Sequence, residues 1–218
     1  RRRLRREPVA YILGRRGVRQ IELEVDPRVL IPRPETELLV ELALEAEPER
    51  VLEIGTGSGA IALAVADELP GCRVTATDVS AEALAVARAN AARLGLADRV
   101  ELALGSLPAA GSRFDLILAN LPYVPDGERL APELTEWEPA GALFGGPDGT
   151  AVIAEVLAGL AAAGIEAPTI GLEIGQGQGE RVAGLVRAAG YPEVEVRPDL
   201  AGIERVVVGR DRPPSAPA

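Results

Sequence analysis

Val51-Leu52-Glu53-Ile54-Gly55-Thr56-Gly57-Ser58-Gly59-Ala60 is the stretch that decides the fold. Val51 to Ile54 has the apolar, β-branched character of a buried strand. Three glycines follow at alternate positions, and Ala60-Ile61-Ala62-Leu63-Ala64-Val65-Ala66 then opens a helix. Strand, glycine turn and helix in this order hold the phosphates or sugar of a nucleotide-like ligand. Glycine lets the chain reverse sharply and lets the ligand lie against bare backbone. The spacing also fits G-x-G-x-x-[G/A], with Ala60 last. The loop therefore implies a nucleoside-type cofactor and does not say which. A tight turn with no ligand is the plainer alternative, and the intact strand–loop–helix context weighs against it.

Outward from this stretch the alternation is regular. Strands are predicted at 73–78, 100–105, 114–119, 169–174, 193–198 and 204–209, and helices at 58–68, 80–94, 150–163 and 178–189. Ser80 is placed to cap the second helix and Gly95 to end it. The link from Asp199 to Gly202 is too short for a crossover helix, so the last two strands should pair antiparallel. The sum is an α/β fold: a doubly wound, mostly parallel seven-stranded sheet with an antiparallel last strand. Upstream, Val9 to Leu13 and Ile21 to Val25 read as two short strands around a Gly14 to Gly17 turn, a small β-hairpin. Pro32 and Pro34 force an extended path, after which Glu35 and Glu37 suit the first turn of a helix through Leu38, Leu39, Leu42 and Ala43. A proline-containing stretch runs from Leu121 to Asp148, and Asp211 to Ala218 is Pro/Ala-rich and expected to fray.

Composition narrows the chemistry. A chain of 218 residues suits one large domain with a small appendage. Apolar residues make up 47 % and aromatics only 3 %, so the core must be aliphatic. All 23 positive side chains are Arg, and the lack of His removes His-based catalysis and His metal ligation. The lack of Met suggests that Arg1 is a cut end of something longer. One cysteine, Cys72, permits no internal disulfide and no zinc cluster, and reads as a buried small residue in a reducing cytoplasm. No apolar run is long enough for a membrane span, and no signal peptide is visible. Residues 1–20 hold eight Arg against Glu7 alone, within a chain of net charge −10, so the rest carries −17. So acidic a body argues against general nucleic-acid binding; the basic end reads as a solvated linker or, as the alternative, a tail for RNA or a ribosome.

Two features carry chemistry beyond the loop. Asp78 ends the second strand, 19 positions beyond Gly59, where a carboxylate can accept hydrogen bonds from both ribose hydroxyls. That fits nicotinamide and S-adenosyl cofactors alike. The tetrapeptide Asn120-Leu121-Pro122-Tyr123 separates them. It follows Phe114-Asp115-Leu116-Ile117-Leu118-Ala119, at the carboxyl edge where such sheets bind ligands. Asn120 offers a side-chain carbonyl, Pro122 stiffens the turn, and Tyr123 offers a ring face. Together they can clamp a flat, uncharged NH2 group: two acceptors take its hydrogens and the ring covers its plane. That arrangement suits methylation of an amide or an exocyclic amine.

Here the chain resembles the release-factor glutamine methyltransferases. The matching residues are Glu7-Pro8-Val9-Ala10-Tyr11-Ile12-Leu13-Gly14, Asp26 to Glu37 with its Ile31-Pro32-Arg33-Pro34-Glu35-Thr36-Glu37, Leu52 to Gly59, Glu173-Ile174-Gly175 and Asp199-Leu200-Ala201-Gly202. The resemblance spans roughly residues 7 to 210. It implies S-adenosyl-L-methionine as cofactor, held by Gly55, Thr56, Gly57, Ser58, Gly59, Asp78, Leu107 and Asn120, with no metal. It implies a glutamine side chain of a peptide chain release factor as substrate, held by Asn120, Leu121, Pro122 and Tyr123, with Asn120 and Tyr123 catalytic. Asn120 and the carbonyl of Leu121 would take the two amide hydrogens, Glu53 would help hold the cofactor's amino-acid end, and Arg33 and Glu35 would shape the entrance. Residues 31–210 would form the methyltransferase domain, and residues 1–30 a linker and hairpin left from a missing helical domain. Neither a membrane nor direct nucleic-acid contact is expected, and the setting is cytoplasmic. The sequence departs from the family at Leu121, usually Pro, and at Ser106, where an acid is often found. Asn-Leu-Pro-Tyr also occurs in rRNA adenine methyltransferases, the alternative reading, but those lack the Ile-Pro-Arg-Pro-Glu-Thr-Glu segment. A nicotinamide dehydrogenase and a binding-only protein are the readings from other classes.

Overall fold

The computed structural model describes residues 1–211. β3 (Arg50–Ile54) runs through the middle of a seven-stranded sheet, parallel to β4 (Arg73–Asp78) on one side and to β6 (Leu116–Ala119) on the other. β5 (Val100–Leu104) and β7 (Thr169–Glu173) extend it outward in parallel. β9 (Glu204–Arg210) inserts between β7 and β8 (Glu193–Pro198) and is antiparallel to both, giving the order β5-β4-β3-β6-β7-β9-β8. The predicted doubly wound sheet with a reversed last strand is present. Its winding changes direction between β3 and β6, and a cleft outside the carboxyl ends of strands opens at such a point.

The strands are buried on both faces because their side chains alternate between two aliphatic cores. Val51, Leu116, Leu118, Val206 and Val208 pack with α2 (Glu37–Ala46) and α3 (Ala60–Glu68), whereas Leu52, Ile117, Ala119, Ile170 and Val207 pack with α6 (Ala151–Ala163) and α7 (Gly179–Ala188). This is the period of two expected of a strand, with helices covering each face. α4 (Ala81–Leu94) is capped by Ser80, whose Oγ accepts from Ala83 N at 3.1 Å, and ends at Gly95 in the left-handed region, as predicted. Cys72 is buried. The stretch 121–148 holds α5 (Pro132–Thr135) and a bridge between Val124 and Phe144. Among the described residues no helix is long and apolar enough to cross a membrane.

The amino-terminal part differs from expectation. Val9–Leu13 is not a strand but a short helix, α1. A strand would bury Val9, Tyr11 and Leu13 on one face, yet Val9 and Leu13 are exposed and Tyr11 alone is buried, its hydroxyl donating to Val29 O at 2.6 Å. Pro8 lends its carbonyl to Ile12 N without having an N–H to lose, and Gly14 at φ +71° ends the turn. The hairpin therefore lies one step later, between β1 (Arg15–Val18) and β2 (Ile21–Glu24), with its turn at Arg19 and Gln20. The expected frayed tail lies outside the described residues except for Asp211, whose N–H donates to Pro168 O.

The hairpin shares the main core: Val18, Ile21 and Leu23 pack with the α2 and α3 side of the sheet. Arg19 reaches Glu68 at the end of α3 through two 2.9 Å contacts. Asn90 of α4 makes the decisive link. Its Oδ1 accepts from Glu24 N at 2.7 Å, and its Nδ2 donates to Glu24 O and Ser58 O, both at 3.0 Å. One fully buried carboxamide thus pins the hairpin to the glycine loop. Asn90→Ala is expected to strand these backbone groups and lower stability by about 2–3 kcal/mol. A thermal melt should then shift down by roughly 4–12 °C for a domain this size, and a smaller shift would mean the hairpin is held by apolar packing alone.

Candidate active site

The cleft begins with the glycine loop. Gly55, Gly57 and Gly59 have φ of +76°, +57° and +87°, a region that side chains other than glycine's enter only with strain. Gly55 N and Thr56 N both donate to Thr77 O, at 2.9 and 3.0 Å, tying the end of β3 to that of β4. Gly59 also needs its bare Cα for packing, since a Cβ there would lie 2.7 Å from Leu63 Cδ1. α3 starts at Ala60 and not at Ser58 as predicted, because these left-handed residues carry the turn two positions further.

Two carboxyls organise this turn. Glu53 is buried beneath it, and its Oε2 accepts from Thr56 Oγ1 at 2.6 Å and from Ala62 N at 3.0 Å. Burial pushes its carboxyl up to about 8, opposed by those two hydrogen bonds. Glu53 therefore fastens the loop to the first turn of α3 through Oε2. Asp78, at the end of β4, accepts from Gly57 N through Oδ2 and from Ser80 N through Oδ1, both at 2.8 Å. Each oxygen keeps a further lone pair for a ligand.

The cavity over these groups measures about 630 Å³, within the range of small-molecule sites. Ten of the residues proposed from sequence line it: Glu53, Gly55, Thr56, Gly57, Ser58, Asp78, Leu107, Asn120, Leu121 and Pro122. Ser106, in place of the family's usual acid, lines it as well. Gly59 lies under Leu63, and Tyr123 stands beside the cavity and not in its wall. One face of α6, including Val152, Glu155, Val156 and Gly159, closes the side opposite the loop. That face was missed because spacings of three and four read equally well as a core stripe.

The clamp is held from behind by bare backbone. A Cβ at Gly145 would stand 2.3 Å from Pro122 O, and one at Gly149 would stand 2.1 Å from Tyr123 O. Gln178 bridges the same region, with Nε2 donating to Tyr123 O at 2.9 Å and Oε1 accepting from Gly175 N at 2.8 Å. Tyr123 donates its hydroxyl to Glu173 Oε1 at 3.3 Å. Burial raises the Tyr123 phenol, and the Glu173 carboxyl beside it adds to the effect. Asn120 Nδ2 donates to Thr36 Oγ1 at 3.0 Å, which leaves its carbonyl oxygen for a ligand.

Thr36 arrives from the extended Ile31–Pro34 segment, anchored where Glu138 takes Arg33 at 2.6 Å and Ile31 N at 3.1 Å. Arg33 is thus a strut between the segment and the Leu121–Asp148 stretch. Thr36 lies inside a motif already singled out and could have been found there. Glu138 and Gln178 carry no local signal, their partners being distant in sequence.

A seven-stranded, doubly wound sheet with a reversed last strand and a glycine-lined cleft at its switch point defines a class I methyltransferase. A family described as "Methyltransferase domain" matches residues 51–137. The fold is similar to that of a methyltransferase from Pyrococcus furiosus (TM-score 0.63, 20 % identity, 86 % of this chain and 87 % of that one). It is also similar to the N-terminal domain of human METTL16 in complex with SAH (TM-score 0.60, 15 % identity, 88 % of this chain and 76 % of that one). Among sequences, the release factor glutamine methyltransferase of Caulobacter vibrioides is 44 % identical over all of this chain and 78 % of its own length. That of Bordetella pertussis is 47 % identical over 95 % of this chain and 79 % of its own length. The chain belongs to the release factor glutamine methyltransferase family.

Glu53 gives a pH-dependent prediction. A carboxyl whose folded value is raised to about 8 binds a proton in the folded state that the unfolded chain has released above about 4.5. Its contribution is fully present below the unfolded value and is lost as pH rises toward the folded one. Glu173, raised by burial to about 7, acts in the same direction. The melting temperature should fall from pH 5.5 to 8.5, and Glu53→Gln should flatten that fall; an identical slope in the variant would contradict a protonated Glu53. Separately, Gly145→Ala should drive Pro122 O out of place. Turnover should drop at least tenfold in a methyl-transfer assay, with a smaller change in cofactor affinity; normal turnover would show that the clamp is positioned otherwise.

Proposed function

We propose that this chain transfers a methyl group from S-adenosyl-L-methionine to the side-chain amide nitrogen of a glutamine in a peptide chain release factor. The observation that carries the reading is Asn120. Its amide nitrogen is bound to Thr36, so its carbonyl oxygen is free at a cavity wall shared with the glycine loop. An acceptor that close to a nucleoside-type site suits an NH2 group better than an oxyanion or a phosphate.

The cofactor reading rests on the fit of the cavity. Asp78 has spare lone pairs for ribose hydroxyls, Gly55 and Gly57 leave the loop bare, and Leu107 offers an apolar wall to a base. S-Adenosyl-L-methionine, when bound, supplies the methyl group on its sulfonium. The protein's part is to bind and orient the amide. Asn120 Oδ1 and the Leu121 carbonyl accept its two hydrogens, so that the nitrogen faces the methyl group. As the N–C bond formed, the sulfonium S–CH3 bond would break, leaving S-adenosyl-L-homocysteine, and one of those protons would pass to solvent. A neutral amide is a weak nucleophile, and positioning can supply on the order of 7–11 kcal/mol of the barrier reduction. Leu121 is 5 % exposed, and its side chain packs into the apolar core at the cavity wall, so the polar group it offers a substrate is its carbonyl. Pro122 keeps residue 121 extended, whether that residue is Leu or Pro.

The acidic body disfavours phosphate backbones, so the partner is the glutamine-bearing loop of the factor and not RNA. A cytoplasmic setting agrees with the single buried thiol. The test offers labelled S-adenosyl-L-methionine with a glutamine peptide, an intact release factor and an adenine-containing rRNA fragment. Methylation of the first two supports the reading; efficient methylation of the RNA alone would sink it. Two substitutions should separate the roles. Asp78→Ala should weaken cofactor binding by roughly 1.5–3 kcal/mol in calorimetric titration. Asn120→Ala should leave that affinity within a few-fold and lower kcat strongly. The assignment fails if the two variants exchange these phenotypes.

A further inference from the structure

Glu173 is the last residue of β7, and it is 1 % exposed. Its Oε1 accepts from Tyr123, but its Oε2 is buried without a hydrogen-bond partner among the described residues. No step proposed above uses this group, and an unsatisfied buried carboxyl is costly. Thr36, which holds Asn120, is also its neighbour and favours its ionised form, as does Tyr123. Asn120–Thr36 and Tyr123–Glu173 are therefore two hydrogen-bonded pairs behind the cavity wall, drawn from three separate stretches of sequence, with the partnerless Glu173 Oε2 between them and no acceptor yet assigned to the Thr36 hydroxyl proton.

We infer that Thr36 and Glu173 are positioning residues that set the donor–acceptor polarity of the clamp: the otherwise partnerless Glu173 Oε2 is the acceptor toward which the Thr36 hydroxyl turns its hydrogen, Thr36 Oγ1 accepts from Asn120 Nδ2, and Asn120 Oδ1 is turned to the substrate. The logic is one of proton counting. A carboxamide has two faces of opposite hydrogen-bonding sense, and only the carbonyl face can accept from a substrate NH2. A hydroxyl alone cannot choose between them, since it can donate to Oδ1 as readily as accept from Nδ2. A carboxylate can only accept, so beside it the hydroxyl must donate, and Asn120 is left to donate in its turn. Protonated Glu173 would offer its own proton to Thr36 or Tyr123 and release this constraint. The groups that face Glu173 are Tyr123 from the clamp, Glu35 beside Thr36, and Arg205 of β9. Burial raises Glu173 to about 7, opposed by Thr36 and Tyr123, so its ionisation changes near neutral pH. The inference rests on the glutamine-amide reading for its effect on turnover, but not for the orientation of Asn120 itself.

The experiment compares wild type with Thr36→Val, Thr36→Ser and Glu173→Gln. The chain has only two asparagines, Asn90 and Asn120, so selective 15N labelling of Asn isolates the side-chain amide of Asn120. In wild type its protons should be protected from exchange, and in Thr36→Val that protection should be lost while S-adenosyl-L-methionine affinity stays within about twofold. With a glutamine peptide, Thr36→Val should lower kcat roughly 10–100-fold with little change in KM, and Thr36→Ser should restore it to within about threefold. Wild-type kcat should fall on the acid side of neutrality, and Glu173→Gln should abolish that limb. Unchanged amide exchange in Thr36→Val, or an acid limb kept by Glu173→Gln, would overturn the inference. A wild type that methylates no glutamine peptide, yet keeps the Thr36-dependent protection of Asn120, would overturn the functional reading and uphold the positioning pair.

Discussion

The turn from β3 into α3 must pass three residues through the left-handed region before the helix can begin. Everything else in the site follows from keeping that turn bare and fixed. It is bare because glycine stands at all three positions, which leaves the cavity floor to backbone. It is fixed from four sides: by Thr77 O, by Asp78, by the Glu53 carboxyl beneath it, and by Asn90 from α4. A loop of glycines would lose much entropy on ordering, and these anchors are what offset it. The hairpin joins the same arrangement, since the Asn90 side chain that holds Ser58 also holds both polar groups of Glu24.

The two acids of this region do different work because their surroundings differ. Glu53 is enclosed and its Oε2 is bound to Thr56 and to Ala62 N, so it stabilises the turn from beneath while still lining the cavity. Asp78 stands at the cavity edge, one strand over, with lone pairs to spare. Sequence position alone gives both residues the same promise, as acids next to a glycine loop. Burial separates them, and burial is set by β3 lying at the centre of the sheet with helices on both faces.

Sheet and helices were legible because each rests on a local rule. Ser80 and Gly95 mark the ends of α4, the short link at 199–202 forbids a crossover, and the glycine loop marks the switch point. Val9–Leu13 was misread because a run of apolar and aromatic residues favours a strand until Pro8 and Gly14 are weighed as helix ends. The cavity floor was legible for the same reason as the fold: Gly55 to Ser58, Asp78 and Asn120 to Pro122 all sit at carboxyl ends of parallel strands. The supports behind them were not. Glu138 meets Arg33 across 105 residues, and Gly145 and Gly149 matter only because the backbone of the clamp passes within contact distance.

Those distant supports explain why a tetrapeptide that also serves other chemistry can be specific here. Asn120 to Tyr123 supplies acceptors and a ring, but a free Asn side chain could present either its oxygen or its nitrogen. Its nitrogen is taken by Thr36, which is delivered by the Ile31–Pro34 segment held by Glu138, and on the inference drawn above Glu173 fixes that sense. The segment that most strongly marks the family in sequence is thus the one that reaches behind the clamp. Leu121 departs from the usual residue at the centre of the motif; its side chain both joins the apolar core and lines the cavity, packing next to Gly55, while its carbonyl is one that Leu and Pro share. If the proposed amide reading holds, substrate identity is written less in the four residues of the clamp than in what orients them.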